Sequence, residues 1–414
     1  MVSEQLSRVV ITGIGASTPL GNSFDEIGDA LQAGRSGIDW YDAGTFNRLQ
    51  KHAAANVKDA LIPTEKDSLV PTEQFEKSSR IEQFMIGPAA HALTDAGINP
   101  KANSLEQRKR IGIIAGIGAE QLKDWERDFL DSGHDVFEAS RQPSLVHRVA
   151  QMLGVNGPAT TVAAACASSG YALALGKTWL TNGLVDACVV GGCDVLSPTA
   201  LAAFHNLRAL SRRDDDPKKA SRPFDQNRDG FVMGEGGVFF VLERQHAAKA
   251  RQCKIYGELA GIGMSSDASH MVTPCSDPVQ ASRAITEALA DANLPPAQVD
   301  YINAHAAGTP VGDAAEAGAI RDAFGAAASE IPVSSTKSMS GHLISAAAVF
   351  EALACLVAIK RNMIPPTINL DNPDKECCLR HVPHQAISSP VHVAASNSFG
   401  FGGSNLCLIL KSAA

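Results

Sequence analysis

The side chains best suited to chemistry are one cysteine and two histidines, each set in a run of small residues. Cys166 closes the run Thr160 to Ala165 and opens a segment of helical character that begins at Ala167. A thiol at the start of a helix lies near unpaired backbone N–H groups, whose field favours the nucleophilic thiolate. We therefore expect Cys166 to be a nucleophile with a lowered pKa. The alternative is a buried cysteine packed at a strand end.

His305 and His342 lie far downstream, in two segments rich in glycine, serine and alanine. A single cysteine with distant histidines is typical of a nucleophilic site that folding assembles. Imidazole has an ordinary pKa of about 6.5, which leaves a neutral hydrogen-bond donor available near neutral pH. Either histidine alone is better explained as a hydrogen-bonded core residue. With Cys166, the two histidines predict one reactive site.

The whole chain has the composition of a compact protein. Its 414 residues are 45% hydrophobic and 19% charged, and its formal net charge of -8 argues against a general nucleic-acid binder. Neither an apolar run of about eighteen residues nor a signal-peptide pattern occurs, so we expect a cytoplasmic protein that does not span a membrane. Nine cysteines without a CxxC pair predict free thiols and no structural zinc site.

Short β-branched runs alternate with alanine-rich helical segments, which predicts an α/β fold with buried strands. A weak internal echo, in which a small-residue stretch leads from a strand end into an apolar helix, occurs at residues 161–176 and again at 335–356. Two halves of similar plan explain it, and so does shared alanine-rich composition. We place the boundary near residue 250, which gives an N-terminal half of residues 1–250 and a C-terminal half of residues 251–414.

Gly13-Ile14-Gly15 follows the first strand-like run and invites a dinucleotide-binding interpretation. Thr18 stands where that fingerprint needs its third glycine. We therefore interpret the two glycines as a junction between a strand and a turn.

Six motifs together resemble the β-ketoacyl-acyl carrier protein synthases, and among them the type II elongating synthases. The motifs are Ala165 to Gly170, Ser221 to Asp225 with Arg228 to Val232, Asn303 to His305, Ser334 to His342, Pro365 to Leu370, and Asn397 to Gly403. The resemblance covers nearly the whole chain. It implies a thiolase-type α/β fold of two similar βαβαβ halves in a layered α-β-α-β-α arrangement, with the cysteine in the first half and the histidines in the second.

The resemblance also implies a reaction. In that family a cysteine takes an acyl chain from a phosphopantetheine thioester, and malonyl thioester then loses CO2 to give an enolate that attacks the acyl group. Cys166 would be the nucleophile, and its lowered pKa would make a dedicated base unnecessary. His305 and His342 would donate hydrogen bonds to the thioester carbonyl oxygen, and His305 would also be placed to help activate a water or accept the charge of the departing carboxylate.

Further roles are implied for residues around this trio. Lys337 resembles the family lysine that pairs with a glutamate, here Glu351, and orients the histidine segment. The backbone N–H groups of Cys166 and Phe401 resemble the family's oxyanion hole. Phe401 also matches the gating phenylalanine, and its flanking glycines would let the loop move.

Three residues are implied in substrate binding: Thr309 at the pantetheine arm, Ile117 at the pocket floor, and Phe399 in the gate segment. The chain departs from the family pattern twice. Ala307 stands where the family usually has a threonine, and the lost hydrogen bond, worth about 0.5–1.5 kcal/mol, predicts weaker carrier binding. The segment between Ile117 and Cys166 is shorter than usual, which leaves acyl length and shape open.

An acidic acyl carrier protein is the implied partner, and the implied assembly is a homodimer, with a heterodimer open. The clearest basic cluster for the carrier is Arg208, Arg212, Arg213, Lys218 and Lys219, with Lys77 and Arg80 as further candidates. A solvated charged turn explains that cluster equally well. We expect no cofactor beyond the carrier's phosphopantetheine and no metal, although the resemblance raises a structural cation near Asn303, Glu316, Ser396 and Asn397.

We therefore expect a decarboxylating condensing enzyme of fatty acid biosynthesis that extends an acyl-carrier thioester by two carbons. A specialised type II polyketide-like ketosynthase, with or without a partner subunit, is the nearest alternative. A non-catalytic partner subunit is another, against which the intact Cys166, His305 and His342 argue. A degradative thiolase is the third, although its usual second cysteine is not evident in the segment from Phe399 to Asn405.

Overall fold

The structure is a computed structural model that describes residues 8–41, 52–62, 69–120, 122, 125, 126, 128 and 143–413. The first seven residues, and much of the segment between Ile117 and Cys166 on which the expectation about acyl length rests, lie outside the described residues. None of the helices in the described part of the chain combines the length and apolar character needed to cross a membrane.

The strands of the described residues are β1 (Val9–Ser17), β2 (Asp39–Tyr41), β3 (His52–Ala55), β4 (Ile111–Gly116), β5 (Ala159–Val162), β6 (Ala187–Asp194), β7 (Met233–Gly234), β8 (Gly236–Arg244), β9 (Gly257–Ser266), β10 (Tyr301–Asn303), β11 (Pro332–Ser334), β12 (Met363–Ile364), β13 (Arg380–His381), β14 (Ile387–Ser388), β15 (Val393–Gly400) and β16 (Ser404–Lys411). Eleven of them form one sheet in the order β13-β11-β10-β15-β16-β9-β1-β8-β6-β4-β5.

The α-helices of the described residues are α1 (Phe24–Gln32), α2 (Thr72–Glu76), α3 (Arg80–Asp95), α4 (Leu105–Arg108), α5 (Leu145–Leu153), α6 (Ser168–Thr181), α7 (Pro198–Asn206), α8 (Gln245–Ala250), α9 (Val279–Asp291), α10 (Pro310–Phe324), α11 (Lys337–Ser340) and α12 (Ala347–Arg361). The alanine-rich segments predicted to be helical therefore form α9 and α10.

One topology occurs twice in the large sheet. In the N-terminal half, β1, β8 and β6 pair antiparallel, and β6, β4 and β5 pair parallel. In the C-terminal half, β9, β16 and β15 pair antiparallel, and β15, β10 and β11 pair parallel. A short antiparallel ladder between β1 and β9 joins the halves. The internal echo is therefore a repeated fold, and the predicted α/β plan of two similar halves is confirmed.

Helices cover the sheet in layers. α6 follows β5, and α12 occupies the equivalent position after β11; these two helices pack against each other between the halves. Thirteen of the fifteen residues of α12, from Ala347 to Ile359, are buried, as a central helix requires. α3 packs on β1, β8 and β6 on one outer side, and α9 packs on β9 and β16 on the other. This gives the α-β-α-β-α order.

The glycine pair near the N-terminus has a packing role. Gly13 and Gly15 lie inside β1, which runs on to Ser17, so the predicted junction between a strand and a turn is wrong. A Cβ at Gly13 would lie 2.0 Å from the Ala92 carbonyl oxygen, and one at Gly15 would lie 1.9 Å from the Pro88 carbonyl oxygen. The glycines are needed because α3 crosses β1 with backbone against backbone.

Candidate active site

Cys166 lies in a single turn of 3₁₀-helix, Ala165–Ala167, between β5 and α6. Ala165 has a φ of 48°, a left-handed conformation that turns the chain sharply before the cysteine. The Ser168 hydroxyl accepts from the Ala164 N–H at 2.9 Å and donates to the Ala165 carbonyl at 2.6 Å, which holds the turn. Gly400 passes so close that a Cβ there would lie 2.8 Å from the Ala164 carbonyl oxygen. The predicted helix start is confirmed.

The expected lowering of the Cys166 pKa is not what the structure gives. Cys166 is 7% exposed, and burial raises the pKa of its thiol to about 11. The Lys337 charge and a hydrogen bond from the Phe401 backbone N–H oppose this rise, while the Glu351 and Asp194 carboxylates add to it. The field of the helix start alone would lower the pKa, but desolvation of the thiolate is the larger effect here. Cys166 is therefore a thiol at neutral pH, so its proton must leave as it reacts.

The two histidines meet at this cysteine. Their rings lie edge to face, with centroids 5.3 Å apart and planes at 82°, and both line the pocket that contains Cys166. Burial lowers the pKa of both imidazoles well below 6.5, and the nearby Lys337 charge lowers it further. Both rings are therefore neutral at physiological pH, so each has one nitrogen that donates and one that accepts.

Hydrogen bonds at Nδ1 decide which nitrogen donates. The Ile344 backbone N–H donates to His342 Nδ1 at 3.2 Å. The Lys337 ammonium lies 3.3 Å from His305 Nδ1, and an ammonium can only donate. Since both Nδ1 atoms accept, both Nε2 atoms carry the proton. The pair can therefore present two N–H donors to one developing negative charge.

Lys337 and Glu351 form an ion pair behind the histidines, with side chains 2% and 1% exposed. The Lys337 ammonium also donates to the His305 carbonyl oxygen at 2.5 Å. Burial raises the pKa of Glu351 to about 7, against the lowering effect of the Lys337 charge. The Ser398 hydroxyl donates to the second Glu351 oxygen at 3.4 Å. The pair therefore links α12, the His305 loop and β15.

Two carboxylates that sequence analysis did not assign to it hold the His305 loop. Glu316 accepts from the backbone N–H groups of His305, at 2.8 Å, and Ala306, at 2.6 Å. Asp313 accepts from the N–H groups of Gly308 and Thr309, each at 3.1 Å. Both carboxylates lie on α10, which directly follows the loop. This closeness in the sequence is the feature from which their hydrogen bonds to the loop could be predicted.

The pocket has a volume of about 320 Å³ and opens to the surface. Of the residues predicted from the sequence, it is lined by Cys166, His305, His342, Thr309, Phe399, Phe401 and Arg208. Ala307 also lines it, so the position where the family usually has threonine faces this pocket. Ile117 does not line this pocket: it is 2% exposed and its N–H donates to the Val162 carbonyl at 3.1 Å.

Phe401 lies in the turn between β15 and β16. Its ring packs on Phe204 of α7, with centroids 6.1 Å apart. Gly402 and Gly403 both have positive φ, and the Gly402 N–H donates to the Met271 carbonyl at 2.9 Å. The backbone N–H of Asp267, directly after β9, donates to the Gly403 carbonyl oxygen at 2.9 Å. Two backbone hydrogen bonds to neighbouring segments therefore fix the turn in this position.

Buried oxygen atoms near β15 fit the cation that the resemblance raised. Within the described residues, Asn303 Oδ1, Ser396 Oγ and Asn397 Oδ1 are buried without a hydrogen-bond partner. Asn397 Nδ2 donates to Glu316 Oε1 at 3.0 Å, so a carboxylate lies beside Asn397. Carbonyl and carboxylate oxygens are the ligands of hard cations. These residues would hold such an ion, and its charge would stabilise the Glu316 carboxylate and the loop that it holds.

The basic residues predicted to meet the carrier do not share one place. Arg208 lines the mouth of the pocket. Arg213 pairs with Asp215 at 3.2 Å, and Lys219 pairs with Asp216 at 3.8 Å. Lys218 lines a separate cavity beside Asn22, and Arg80, a further candidate, pairs with Glu235. Arg208 is therefore the member of the cluster that the geometry puts at the channel entrance.

A buried cysteine facing two neutral histidines, at the meeting point of two halves of one α/β topology, defines the class of thiolase-fold enzymes that work through a cysteine. Family models agree in detail. Residues 6–248 match the β-ketoacyl synthase N-terminal domain, and residues 256–371 match the β-ketoacyl synthase C-terminal domain. The chain belongs to the β-ketoacyl synthase family.

Individual relatives cover nearly the whole chain. It is 39% identical to a 3-oxoacyl-[acyl-carrier-protein] synthase 2 of Synechocystis, over 99% of both chains. It is 37% identical to the protein of that name in Coxiella burnetii, over 98% of both. Among solved structures, a β-ketoacyl synthase from Burkholderia phymatum superposes with a TM-score of 0.86 at 32% identity, covering 98% of this chain and 100% of that one. A type II polyketide ketosynthase in complex with its acyl carrier protein superposes with a TM-score of 0.88 at 29% identity, covering 98% and 99%.

Proposed function

We propose that this protein catalyses the decarboxylative condensation of an acyl-enzyme thioester with malonyl-acyl carrier protein, giving a 3-oxoacyl-acyl carrier protein in fatty acid biosynthesis. The observation that carries the proposal is the shared pocket of Cys166, His305 and His342. The curated relatives bear the name of this activity. The reaction needs no cofactor beyond the phosphopantetheine that arrives on the carrier.

The first half-reaction is thioester exchange. The Cys166 sulfur attacks the acyl carbonyl carbon, the bond from that carbon to the pantetheine sulfur breaks, and the acyl–Cys166 bond forms. The proton of the thiol ends on the departing pantetheine sulfur, so the exchange consumes no base overall. The charge on the carbonyl oxygen is held by the backbone N–H groups of Cys166 and Phe401, and one such donor is worth about a hundredfold to a thousandfold in rate.

The second half-reaction uses the histidines. The bond between the malonyl carboxylate and its α-carbon breaks, CO2 leaves, and the electron pair moves to the thioester carbonyl as an enolate. The Nε2–H groups of His305 and His342 donate to the enolate oxygen. The enolate carbon then attacks the acyl carbonyl on Cys166, the bond from that carbon to the Cys166 sulfur breaks, and the sulfur takes a proton from solvent, which balances the loss of CO2 from the carboxylate. Neutral imidazoles suit this role because they donate without transferring a full charge.

The carrier is proposed to dock at the mouth of the pocket, beside Arg208. Leu207 and Val311 flank this rim, and their exposed fractions are 49% and 48%. A cation beside apolar side chains suits an acidic protein with an apolar face. Ala307 lines the channel just inside this entrance without a hydroxyl, so we propose that the pantetheine arm is held more weakly here than a threonine would hold it.

We further propose that two chains pair through β5. Among the described residues, this strand is the last of the large sheet and has one neighbour, β4. Its residues are half-buried, and Thr161 has a buried hydroxyl without a partner in the described residues. A free edge with such groups is suited to strand pairing across an interface. Sedimentation analysis should give twice the mass of one chain, and a monomer at micromolar concentration would refute the pairing.

The protein is proposed to work in the cytoplasm. Its nine cysteines are free thiols, which a reducing compartment preserves.

A polyketide role is the second candidate, because the chain superposes on a type II polyketide ketosynthase with a TM-score of 0.88. The two candidates share the chemistry and differ in the acyl chain accepted. Chain-length profiles of the purified protein, alone and with candidate partner subunits, separate them. A single condensation to a 3-oxoacyl product by the single chain supports fatty acid synthesis, and repeated condensation to poly-β-keto products supports the polyketide role.

His305→Ala and His342→Ala test the proposed division of labour. Each variant should still accept an acyl group on Cys166 but should lose about a hundredfold in condensation, because one donor to the enolate is gone. Cys166→Ala should lose acyl transfer altogether. Two measurements follow the half-reactions: transfer of labelled acyl groups to the protein, and formation of the 3-oxoacyl product. Full condensation by either histidine variant, or any acyl transfer to Cys166→Ala, would refute the assignment.

A further inference from the structure

The loop that carries His342 is held in an unfavourable backbone conformation. Ile344, whose N–H donates to His342 Nδ1, has a φ of 49°. A β-branched side chain rarely adopts this left-handed region, and such a conformation persists only where surrounding contacts impose it. The hydrogen bond that decides the His342 tautomer therefore depends on whatever fixes the residues after Ile344.

Asp194, at the end of β6, supplies those contacts. Its Oδ2 accepts from the Ser345 hydroxyl at 2.7 Å and from the Ser345 backbone N–H at 3.2 Å. Its Oδ1 accepts from the Val195 N–H at 2.9 Å, which fixes the carboxylate itself. A carboxylate that accepts both bonds from one residue determines the position of that residue strongly.

Ser345 also connects the loop after His342 to the loop after β4. Its hydroxyl oxygen accepts from the Gly118 N–H at 2.8 Å while its proton goes to Asp194. A hydroxyl can donate and accept at once, so Ser345 joins three segments that are remote in the sequence. These are the end of β6, the loop after β4 and the loop after His342. Ser345 is fully buried, so water does not compete for these bonds.

We propose that Asp194 is a positioning residue for His342: through Ser345 it holds Ile344 in its left-handed conformation, so that His342 presents Nε2–H to the substrate. Asp194 does not line the pocket and does not meet the substrate directly. Its positioning effect falls on the step that needs His342 as a donor, the condensation; on Cys166 it acts only through its charge, which raises the thiol pKa. The inference rests on the proposed function for its kinetic consequence alone.

Asp194→Asn, Asp194→Ala and Ser345→Ala test the inference. Asp194→Asn keeps the shape of the side chain, and Ser345→Ala removes the hydroxyl link but keeps the backbone N–H. Each variant should lower the condensation rate about tenfold to a hundredfold, the cost of a displaced reacting group. Acyl transfer should stay within about twofold in Ser345→Ala, which keeps the Asp194 carboxylate, and should not fall in the two Asp194 variants, because that carboxylate raises the Cys166 pKa. Asp186→Asn is the matched control, because Asp186 precedes β6 at its other end and pairs with Arg110 and Arg244. The control should leave both rates unchanged.

A second measurement reads the ring directly. With ¹⁵N-labelled histidine, the two His342 nitrogen signals, identified by their loss in His342→Ala, report which nitrogen carries the proton. The wild-type protein should show one protonated Nε2, and the Asp194 and Ser345 variants should show a mixture of tautomers. An unchanged tautomer, unchanged rates, or equal loss in both half-reactions would overturn the inference. If the wild-type protein does not condense, the proposed function fails, while the tautomer measurement still decides this inference.

Discussion

At the scale of single residues, the groups proposed to contact the substrate carry no charge. Burial keeps both imidazoles neutral and the Cys166 sulfur protonated. The positive charge of Lys337 is set behind them, where it fixes the His305 tautomer. Neutral donors match a reaction in which the thioester oxygen is negatively charged only in the intermediates, because their hydrogen bonds are strong to that oxyanion and weak to the uncharged carbonyl of the substrate.

The neutral histidines predict rings that do not titrate near neutral pH. The pKa of both rings is lowered well below 6.5, so neither gains a proton between about pH 6 and pH 8. Glu351, with a pKa of about 7, titrates in this range, so the rings are followed directly by their ¹⁵N signals, which should not change from pH 6 to pH 8. A titration of either ring near pH 6.5, in protein that circular dichroism shows to be folded, would contradict the neutral assignment.

The buried Cys166 thiol predicts an alkylation rate that rises steeply with pH. Because burial raises the Cys166 pKa to about 11, the thiolate fraction should rise about tenfold per pH unit from pH 7 to pH 10. The rate of iodoacetamide labelling, mapped to Cys166 by mass spectrometry, measures this fraction. The exposed Cys378 is labelled in the same sample and serves as the internal reference. A Cys166 rate that levels off below pH 8 would show that the helix field outweighs burial.

At the scale of elements, α12 serves the site from the centre of the molecule. It is buried on almost every side, and it brings Glu351 to Lys337. A buried ammonium without its carboxylate would be far more costly than the pair itself is worth. The pair therefore ties the stability of the central layer to the position of His305.

Glu351→Ala should destabilise the protein by about 3–5 kcal/mol, because it leaves the Lys337 charge buried and unpaired. The double variant Lys337→Met/Glu351→Leu should cost much less, since it removes both charges. Urea unfolding measures both. Glu73→Ala removes the exposed partner of Lys77 and should change the free energy of unfolding by less than about 1 kcal/mol. An equal, small loss in the single and double variants would show that the pair is not buried in solution.

The contact of β1 with α3 gives a second element-scale prediction. In Gly13→Ala the new methyl group would lie 2.0 Å from the Ala92 carbonyl oxygen, so helix and strand must separate, at a cost of about 1–3 kcal/mol. Gly183→Ala is the control, because nothing lies within 4 Å of its Cβ and its positive φ alone should cost about 1 kcal/mol. Equal melting temperatures for Gly13→Ala and the wild-type protein would contradict the close packing.

The sequence predicts the helices and strands better than it predicts the contacts between them. Buried strands and the helix after Cys166 were predictable, because β-branched runs and small-residue turns act locally. Gly13 was misread because a local pattern cannot show that a helix will cross the strand. The bond between Asp194 and Ser345 spans 151 positions in the chain, and no spacing rule connects them. The Cys166 pKa was misjudged because desolvation depends on the assembled core.

At the scale of the whole molecule, each half contributes one set of reactive side chains, and the two sets lie where the halves meet. The cysteine precedes α6 and the lysine and His342 precede α12, in equivalent positions of a repeated topology. The channel from this point opens beside Arg208, on a chain whose formal net charge is -8. An acidic carrier must therefore be attracted locally, against the overall charge.

Arg208→Ala should raise the KM for carrier-bound substrate several-fold and leave kcat nearly unchanged, because the residue acts on encounter and docking. The difference from wild type should shrink as salt is raised, since screening already weakens the attraction. Lys109→Ala is the control: Lys109 pairs with Glu106 and does not line the pocket. An unchanged KM at low salt would remove Arg208 from the docking surface.

The most direct test of the central claim is the intact mass of the protein after incubation with acyl-carrier thioesters of graded length, followed by malonyl-acyl carrier protein. The account predicts an added acyl mass on the wild-type protein, absent from Cys166→Ala. That mass should disappear on adding the malonyl carrier as a 3-oxoacyl product two carbons longer is released. Absence of acylation with every primer, or acylation that the malonyl carrier cannot discharge, would contradict the claim that Cys166 and the two histidines form a condensing site.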